Sequence, residues 1–151
     1  MEKGRPLRAQ ALALLAHRDH SRAELRRKLE LRADPGEDLD GLLDQLEQQG
    51  YLSDLRFSEQ LAHRHRGRHG PARLEHTLRR KGIPQEAIDA VVIPARADAA
   101  VDALAVLRRR FSGPPAGARE WLQQARYLGN RGFDSDVIRR VLSGGEPADA
   151  D

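Results

Sequence analysis

Apolar residues along this chain recur three and four positions apart, the spacing that gathers side chains on one face of a helix. Leu7, Leu12, Leu14 and Leu15 mark a first helix that starts near Pro6 and ends around His17 to His20. Ser21-Arg22-Ala23-Glu24 reads as a capping box, in which the serine hydroxyl accepts from the Glu24 N–H while the carboxylate reaches back, so a second helix begins there. Its inner face is Leu25 and Leu29, and Asp34-Pro35-Gly36 ends it. Glu37 and Asp38 stand at the positive end of a third helix with Leu39, Leu42, Leu43 and Leu46 inside. Gly50 closes that helix as a left-handed cap, with Tyr51 expected to pack back on it.

The same grammar continues. Ser53 or Asp54 caps a fourth helix carrying Phe57 and Leu61, and Gly70-Pro71 starts a fifth carrying Leu74 and Leu78, which Gly82 stops. Pro84 opens a sixth with Ile88, Val91 and Val92, and Pro94 is expected at its end. A seventh starts near Asp98 with Val101, Leu104, Leu107 and Phe111, before a break at Ser112-Gly113-Pro114-Pro115. Trp121, Leu122, Ala125 and Leu128 line an eighth, and Ile138, Val141 and Leu142 a ninth.

These elements repeat. Leu25 and Leu29 lie 49 positions before Leu74 and Leu78, Leu39, Leu42 and Leu43 lie 49 before Ile88, Val91 and Val92, and Ile138, Val141 and Leu142 follow those by 50. The fold expected is all-α, with three tandem three-helix repeats at residues 1–50, 51–94 and 95–143 in an elongated, curved array, and a disordered acidic tail at 144–151. Short helices are marginal alone, so packing between them must hold each in place.

Composition supports helices: of 151 residues, 32% are charged and only 4% aromatic. There is no cysteine, hence neither a disulfide nor a thiolate metal site, and the apolar runs are too short for a bilayer. With no signal-peptide core in MEKGRPLRAQ, the expected location is the cytoplasm. The net charge of +3 hides a segregation. Between Ala33 and Leu55 stand seven acidic residues and no Lys or Arg, whereas Arg56 to Lys81 holds eight basic residues against Glu59 and Glu75. That pattern suits an anionic or charge-patterned partner such as a nucleoprotein, or simply solvated helix faces.

Four histidines, His63, His65, His69 and His76, fall close together. His63 and His65 are two apart on a helix and face different ways, and no carboxylate completes a site, so no metal is expected. These imidazoles would instead add positive charge below about pH 6.5. No GxxxxGK[ST], GxGxxG, HExxH or GxSxG motif is present, so neither a catalytic constellation nor a cofactor is implied. Basic residues recur at helix ends, in Arg26-Arg27-Lys28, Arg108-Arg109-Arg110 and Arg139-Arg140 among others. Arginine's planar fork suits phosphate and carboxylate, and several such contacts give salt-sensitive, sequence-blind binding. Aromatics interleaved with these arginines are almost absent, which speaks against base stacking, and the sixth helix with Pro84 and its apolar residues is poorly equipped to read base edges.

Three ordered stretches, Ala11 to Leu29 (ALALLAHRDHSRAELRRKL), Leu43 to Ala62 (LDQLEQQGYLSDLRFSEQLA) and Gly70 to Ile88 (GPARLEHTLRRKGIPQEAI), resemble the RecX family of recombination regulators, and Tyr127 to Ile138 (YLGNRGFDSDVI) does so more loosely. The resemblance implies a monomeric, non-enzymatic protein of three three-helix repeats. Such a protein would bind the RecA filament along its groove and modulate its ATPase, strand-exchange and co-protease activities in homologous recombination and the SOS response. It implies contact with RecA and with DNA, single- or double-stranded and without sequence preference, and no membrane. The implied contact faces are the basic ones of the later repeats: Arg64, Arg66, Arg68, Arg73, Arg79, Arg80 and Lys81, then Arg108, Arg109, Arg110, Arg126 and Arg131. The alternatives are a helical DNA-binding protein acting without RecA, and an enzyme, which no constellation of residues supports.

Overall fold

The structure, a computed structural model, describes residues 4–143. Within them stand nine helices and no strand: α1 (Leu7–His17), α2 (Arg22–Glu30), α3 (Leu39–Gln48), α4 (Asp54–His65), α5 (Pro71–Arg80), α6 (Gln85–Ala97), α7 (Ala99–Arg110), α8 (Ala118–Asn130) and α9 (Ser135–Leu142). Each expected helix is present, so the all-α fold class holds. The tail at 144–151 lies outside the described residues.

Helix starts follow local chemistry. Ser21 accepts from the Glu24 N–H at 3.1 Å while the Glu24 carboxylate accepts from the Ser21 N–H, completing the capping box. Asp38 and Asp134 cap α3 and α9 through the N–H groups of Gly41 and Val137. At α4 it is Ser53 that caps, through the Arg56 N–H, which frees Asp54 to accept from the Arg22 N–H at 2.8 Å. Pro6 stands just outside α1, its carbonyl accepting from the Gln10 N–H.

Five expectations change. Tyr51 does not pack back: it is 50% exposed, and Leu52 takes the buried place in the core that holds Leu46. Helix α2 ends at Glu30, before Asp34, leaving Leu31 exposed. Pro94 lies inside α6 rather than ending it, because its side is open to solvent and Pro-Ala-Arg-Ala continues the turn, with the Asp98 N–H reaching the Pro94 carbonyl. In α7 the inner stripe is Ala99, Asp102, Ala103, Val106 and Leu107, so Val101 and Leu104 face out; a charged residue on the stripe disguises its helical period. Leu122 is likewise half exposed, and Gln124 is buried in its stead, donating to the Gly113 carbonyl.

The chain gathers into two compact units, one of residues up to Glu59 with Leu78–Ile88, the other of Gln60–Thr77 with residues from Asp89 onward. In the first, α2 packs on α1 and α3 around Leu25, Leu29, Leu43 and Leu46, all fully buried. In the second, α7, α8 and α9 pack on one another around Ala103, Val106, Leu128, Phe133 and Ile138. Each buried Leu or Ile contributes about 1.5 to 3 kcal/mol, so a few per helix hold it.

Each unit is clasped at an equivalent point. After α3, α5 and α8 the chain turns through Gly50, Gly82 and Gly132 at φ 83°, 75° and 95°. At each, the glycine N–H bonds the carbonyl three residues back, and the next N–H bonds the one five back. In the first unit the Ser21 hydroxyl donates to the Lys81 carbonyl at 3.0 Å, and α2 comes so close that a Cβ on Gly82 would stand 2.7 Å from the Ala23 Cβ. In the second, the Gly70 N–H donates to the Arg131 carbonyl at 2.6 Å and the Ala72 N–H to the Gly132 carbonyl at 3.2 Å, while a Cβ on Gly132 would meet the Arg73 Cβ at 2.7 Å. The start of one repeat's second helix thus docks on the glycine cap of the next repeat's second helix.

Gly50 carries the same turn with open space around its Cβ position. We therefore expect Gly50→Ala to lose only the left-handed preference, about 1 kcal/mol, and Gly132→Ala to lose about 1 to 3 kcal/mol more from overpacking. Urea unfolding followed by circular dichroism measures both; equal losses would refute the clasp.

Candidate functional site

Three carboxylates of the acidic block, Asp40, Asp44 and Glu47, are engaged by the first unit's own arginines. Arg22 reaches Asp44 and Glu47, each at 2.7 Å, and Arg26 pairs with Asp40 and with Glu30. Arg56 holds Asp19 at 3.1 Å. Arg18 pairs with Glu24; burial works to raise that carboxyl, but the hydrogen bond and charge of Arg18 outweigh it and hold it down at about 2. Arg79 and Arg80 are exposed at the end of α5, Arg79 donating to Gln85 at 3.4 Å, and Lys81 is half-buried, its carbonyl held by Ser21.

The second unit sorts its arginines into two kinds. Arg66 lays its Nε against both oxygens of buried Asp102 at 3.0 and 3.1 Å and reaches Asp98 at 3.5 Å, and Asp102 also accepts from the Gly67 N–H. Arg109 donates to the Gly67 carbonyl, and half-buried Arg131 to the Arg68 carbonyl at 3.2 Å. These three hold the turn between α4 and α5. Arg64, Arg68, Arg73, Arg108, Arg110 and Arg126 are exposed, and among the described residues none of their side chains makes a hydrogen bond or ion pair. Their donors remain available to an outside anion.

His65 and His69 do not belong to that outer surface. Their rings meet edge to face at 4.8 Å, and the Nδ1 of each is buried without a hydrogen-bond partner. Burial, then the charges of His69, Arg73 and Arg64, pushes His65 down to about 4; burial, then Arg73, Arg131 and Arg68, lowers His69 as well. This corrects the expectation that the histidine cluster charges together near pH 6.5: these two stay neutral there, because desolvation and neighbouring cations oppose the proton. Among the described residues no three His, Asp or Glu side chains come together as metal ligands.

One grouping was invisible in the sequence. Arg110 stands 5.0 Å over the Phe111 ring and 5.9 Å from the Tyr127 ring; Arg131 stands 4.9 Å over Tyr127, and the two rings meet at right angles. Tyr127 lies sixteen positions after Phe111, and the packing of α7 against α8 brings them together. The available signal was local: each aromatic neighbours an arginine that had been singled out.

Comparison with known proteins agrees with this architecture. Residues 53–92 match the RecX second three-helix domain and residues 102–142 the RecX third three-helix domain. The chain is 41% identical over 140 residues to the regulatory protein RecX of Ralstonia pickettii, covering 93% of this chain and 88% of that one. It is 45% identical over 136 residues to that of Herbaspirillum seropedicae, covering 90% and 88%. The crystal structure of RecX from Lactobacillus salivarius superposes with a TM-score of 0.74 at 18% identity, over 92% of this chain and 94% of that one, which shows a shared fold. Among the described residues no helix is long and apolar enough to cross a membrane.

The histidine pair has a pH signature. The unfolded chain takes up the His65 proton near its ordinary value of about 6.5 and the folded chain only at about 4. The unfolded state therefore binds more protons between these values, and folded stability falls as pH drops through that window. We expect an NMR titration of the His65 ring with a midpoint near 4, and a stability profile flattened by His65→Gln; a midpoint near 6.5 would contradict the burial.

Proposed function

Because the chain belongs to the RecX family, we propose that it is a non-enzymatic regulator that binds RecA nucleoprotein filaments and restrains their ATPase, strand-exchange and co-protease activities. The observation that carries this reading is the likeness over more than nine-tenths of the chain to relatives that are regulatory proteins. The charge pattern supports it. Asp40, Asp44 and Glu47 of the acidic block pair with Arg22 and Arg26 inside the first unit, and the exposed arginines of the later repeats are placed to meet an anionic partner. In this reading the repeats at 51–94 and 95–143 carry the contacts, through Arg64, Arg68, Arg73, Arg79, Arg80, Arg108, Arg110 and Arg126 above all. Arg66, Arg109 and Arg131 serve mainly to hold the turn that presents them. The protein acts as a monomer in the cytoplasm, on RecA and on the DNA within its filament.

The exposed arginines also favour a second reading, a helical DNA-binding protein that affects RecA only by sequestering its DNA. The two separate in one assay. With single-stranded DNA in excess, substoichiometric protein is expected to lower the DNA-dependent ATPase of RecA, and sequestration would vanish under those conditions. No inhibition at any ratio overturns the regulatory reading. Replacing Arg79, Arg80 and Lys81 together by alanine is expected to weaken inhibition while shifting the melting temperature little, since charges at the surface contribute about 0 to 1 kcal/mol each and half-buried Lys81 is held through its backbone carbonyl, which alanine keeps. Leu74→Ala, at a residue 2% exposed, is the contrasting control, expected to lose about 2 to 5 kcal/mol of stability.

A further inference from the structure

Lysine is rare in this chain: of 26 Lys and Arg residues only Lys3, Lys28 and Lys81 are lysine. Lys28 lies half-buried in the last turn of α2, and its Nζ stands 2.9 Å from the Nε2 of His20, in the turn between α1 and α2. His20 is only 2% exposed, and its Nδ1 stands 3.0 Å from the Arg18 carbonyl oxygen. A carbonyl only accepts, so in the neutral ring Nδ1 carries the proton and Nε2 is left with a lone pair toward the lysine. A nucleophile, a base and the group that orients the base are thus joined by hydrogen bonds.

The surroundings keep that lone pair free. Burial above all holds the pKa of His20 below its ordinary value, and the charges of Arg18 and Lys28 act with it, against the pull of the Arg18 carbonyl and Glu24. Glu24, one turn before Lys28 on α2 and its natural counter-charge, is taken instead by Arg18 and the Ser21 N–H. The hydrogen-bond partner of Lys28 is therefore a base without charge. An arginine at position 28 would keep its proton through any chemistry, whereas a lysine can give its proton up and become a nucleophile. Arg27 and Arg32, both exposed, flank Lys28 in sequence and attract anions to it.

We propose that Lys28 is an acylation site with His20 as its general base, and that the donor is an acyl phosphate, whose dianionic head suits the flanking arginines. The ammonium first sheds one proton to water. The amine then donates an N–H to Nε2 and directs its lone pair at the carbonyl carbon of the donor. As the N–C bond forms and the C–O bond to phosphate breaks, the amine proton passes to Nε2 and on to the phosphate, which leaves with the electron pair. The products are a neutral amide at Lys28 and inorganic phosphate, so acylation removes one cation from α2. The proposal lies in the first repeat and uses none of the arginines assigned to RecA.

The test incubates the full chain with acetyl phosphate at neutral pH and follows the occupancy of each lysine by peptide mass spectrometry. Lys81, half-buried as Lys28 is, serves as the internal reference. Lys28 is expected to be acetylated about ten-fold or more faster than Lys81, and that ratio to fall about two-fold in heavy water, where transfer to Nε2 is slower. His20→Gln offers the lysine an acceptor that cannot take a proton, and is expected to bring the two rates within about two-fold of each other. Lys28 reacting no faster than Lys81, a ratio unchanged in heavy water, or a fast Lys28 in folded His20→Gln overturns the assignment. The first two measurements use the unaltered chain, so they decide the matter even where the variant does not fold. No RecA is present, so this outcome and that of the ATPase assay are independent.

Discussion

A glycine cap that also serves as a docking surface is the constraint on which this chain depends. Its turns after α5 and α8 must adopt positive φ and must also admit the start of another helix within van der Waals distance of the glycine itself. Either demand alone is common at helix ends; together they forbid any side chain. Because the start of α2 meets Lys81 and Gly82 as the start of α5 meets Arg131 and Gly132, the 49- to 50-residue period in sequence is also a period in docking, carried by a serine hydroxyl in the first place and by backbone N–H groups in the second. Helices of 8 to 13 residues thereby obtain partners that their own length does not supply.

A second recurrence reinforces the first. Asp54, early in α4, accepts from the Arg22 N–H at the start of α2, and Asp102, early in α7, accepts from the Gly67 N–H just after α4. In both places a carboxylate set in a later repeat satisfies a backbone donor in an earlier one, where an unmatched donor would be costly. Asp102 performs this at 7% exposure with Arg66 as its counter-charge, so an arginine that belongs to the basic hinge in sequence is a structural group in the fold.

Charge is sorted by the same packing. The acidic block meets, across α2 and α3, two arginines that precede it in the chain, Arg22 and Arg26, which span several of its carboxylates. What remains outward is a subset of arginines with free donors, joined in the second unit by Phe111 and Tyr127. A surface of this composition suits polyanions, and burial, with neighbouring arginines, lowers the pKa of His65 and His69 so that they add little to its positive charge.

Helix positions, the capping box at Ser21, the glycine stops and the repeat were all legible along the chain, since each is dictated by contacts within four or five residues. So was the arginine content that any polyanion would meet. Tertiary structure alone decided which arginines are engaged, which stripe of α7 turns inward, and that Leu52 rather than Tyr51 fills the core. Those choices depend on groups brought together from 16 to more than 60 positions away, such as Asp102 for Arg66, Tyr127 for Phe111 and Arg131 for Arg68. No periodicity encodes such partners, because a side chain's local spacing says which way it points and only the packed neighbour says what it meets.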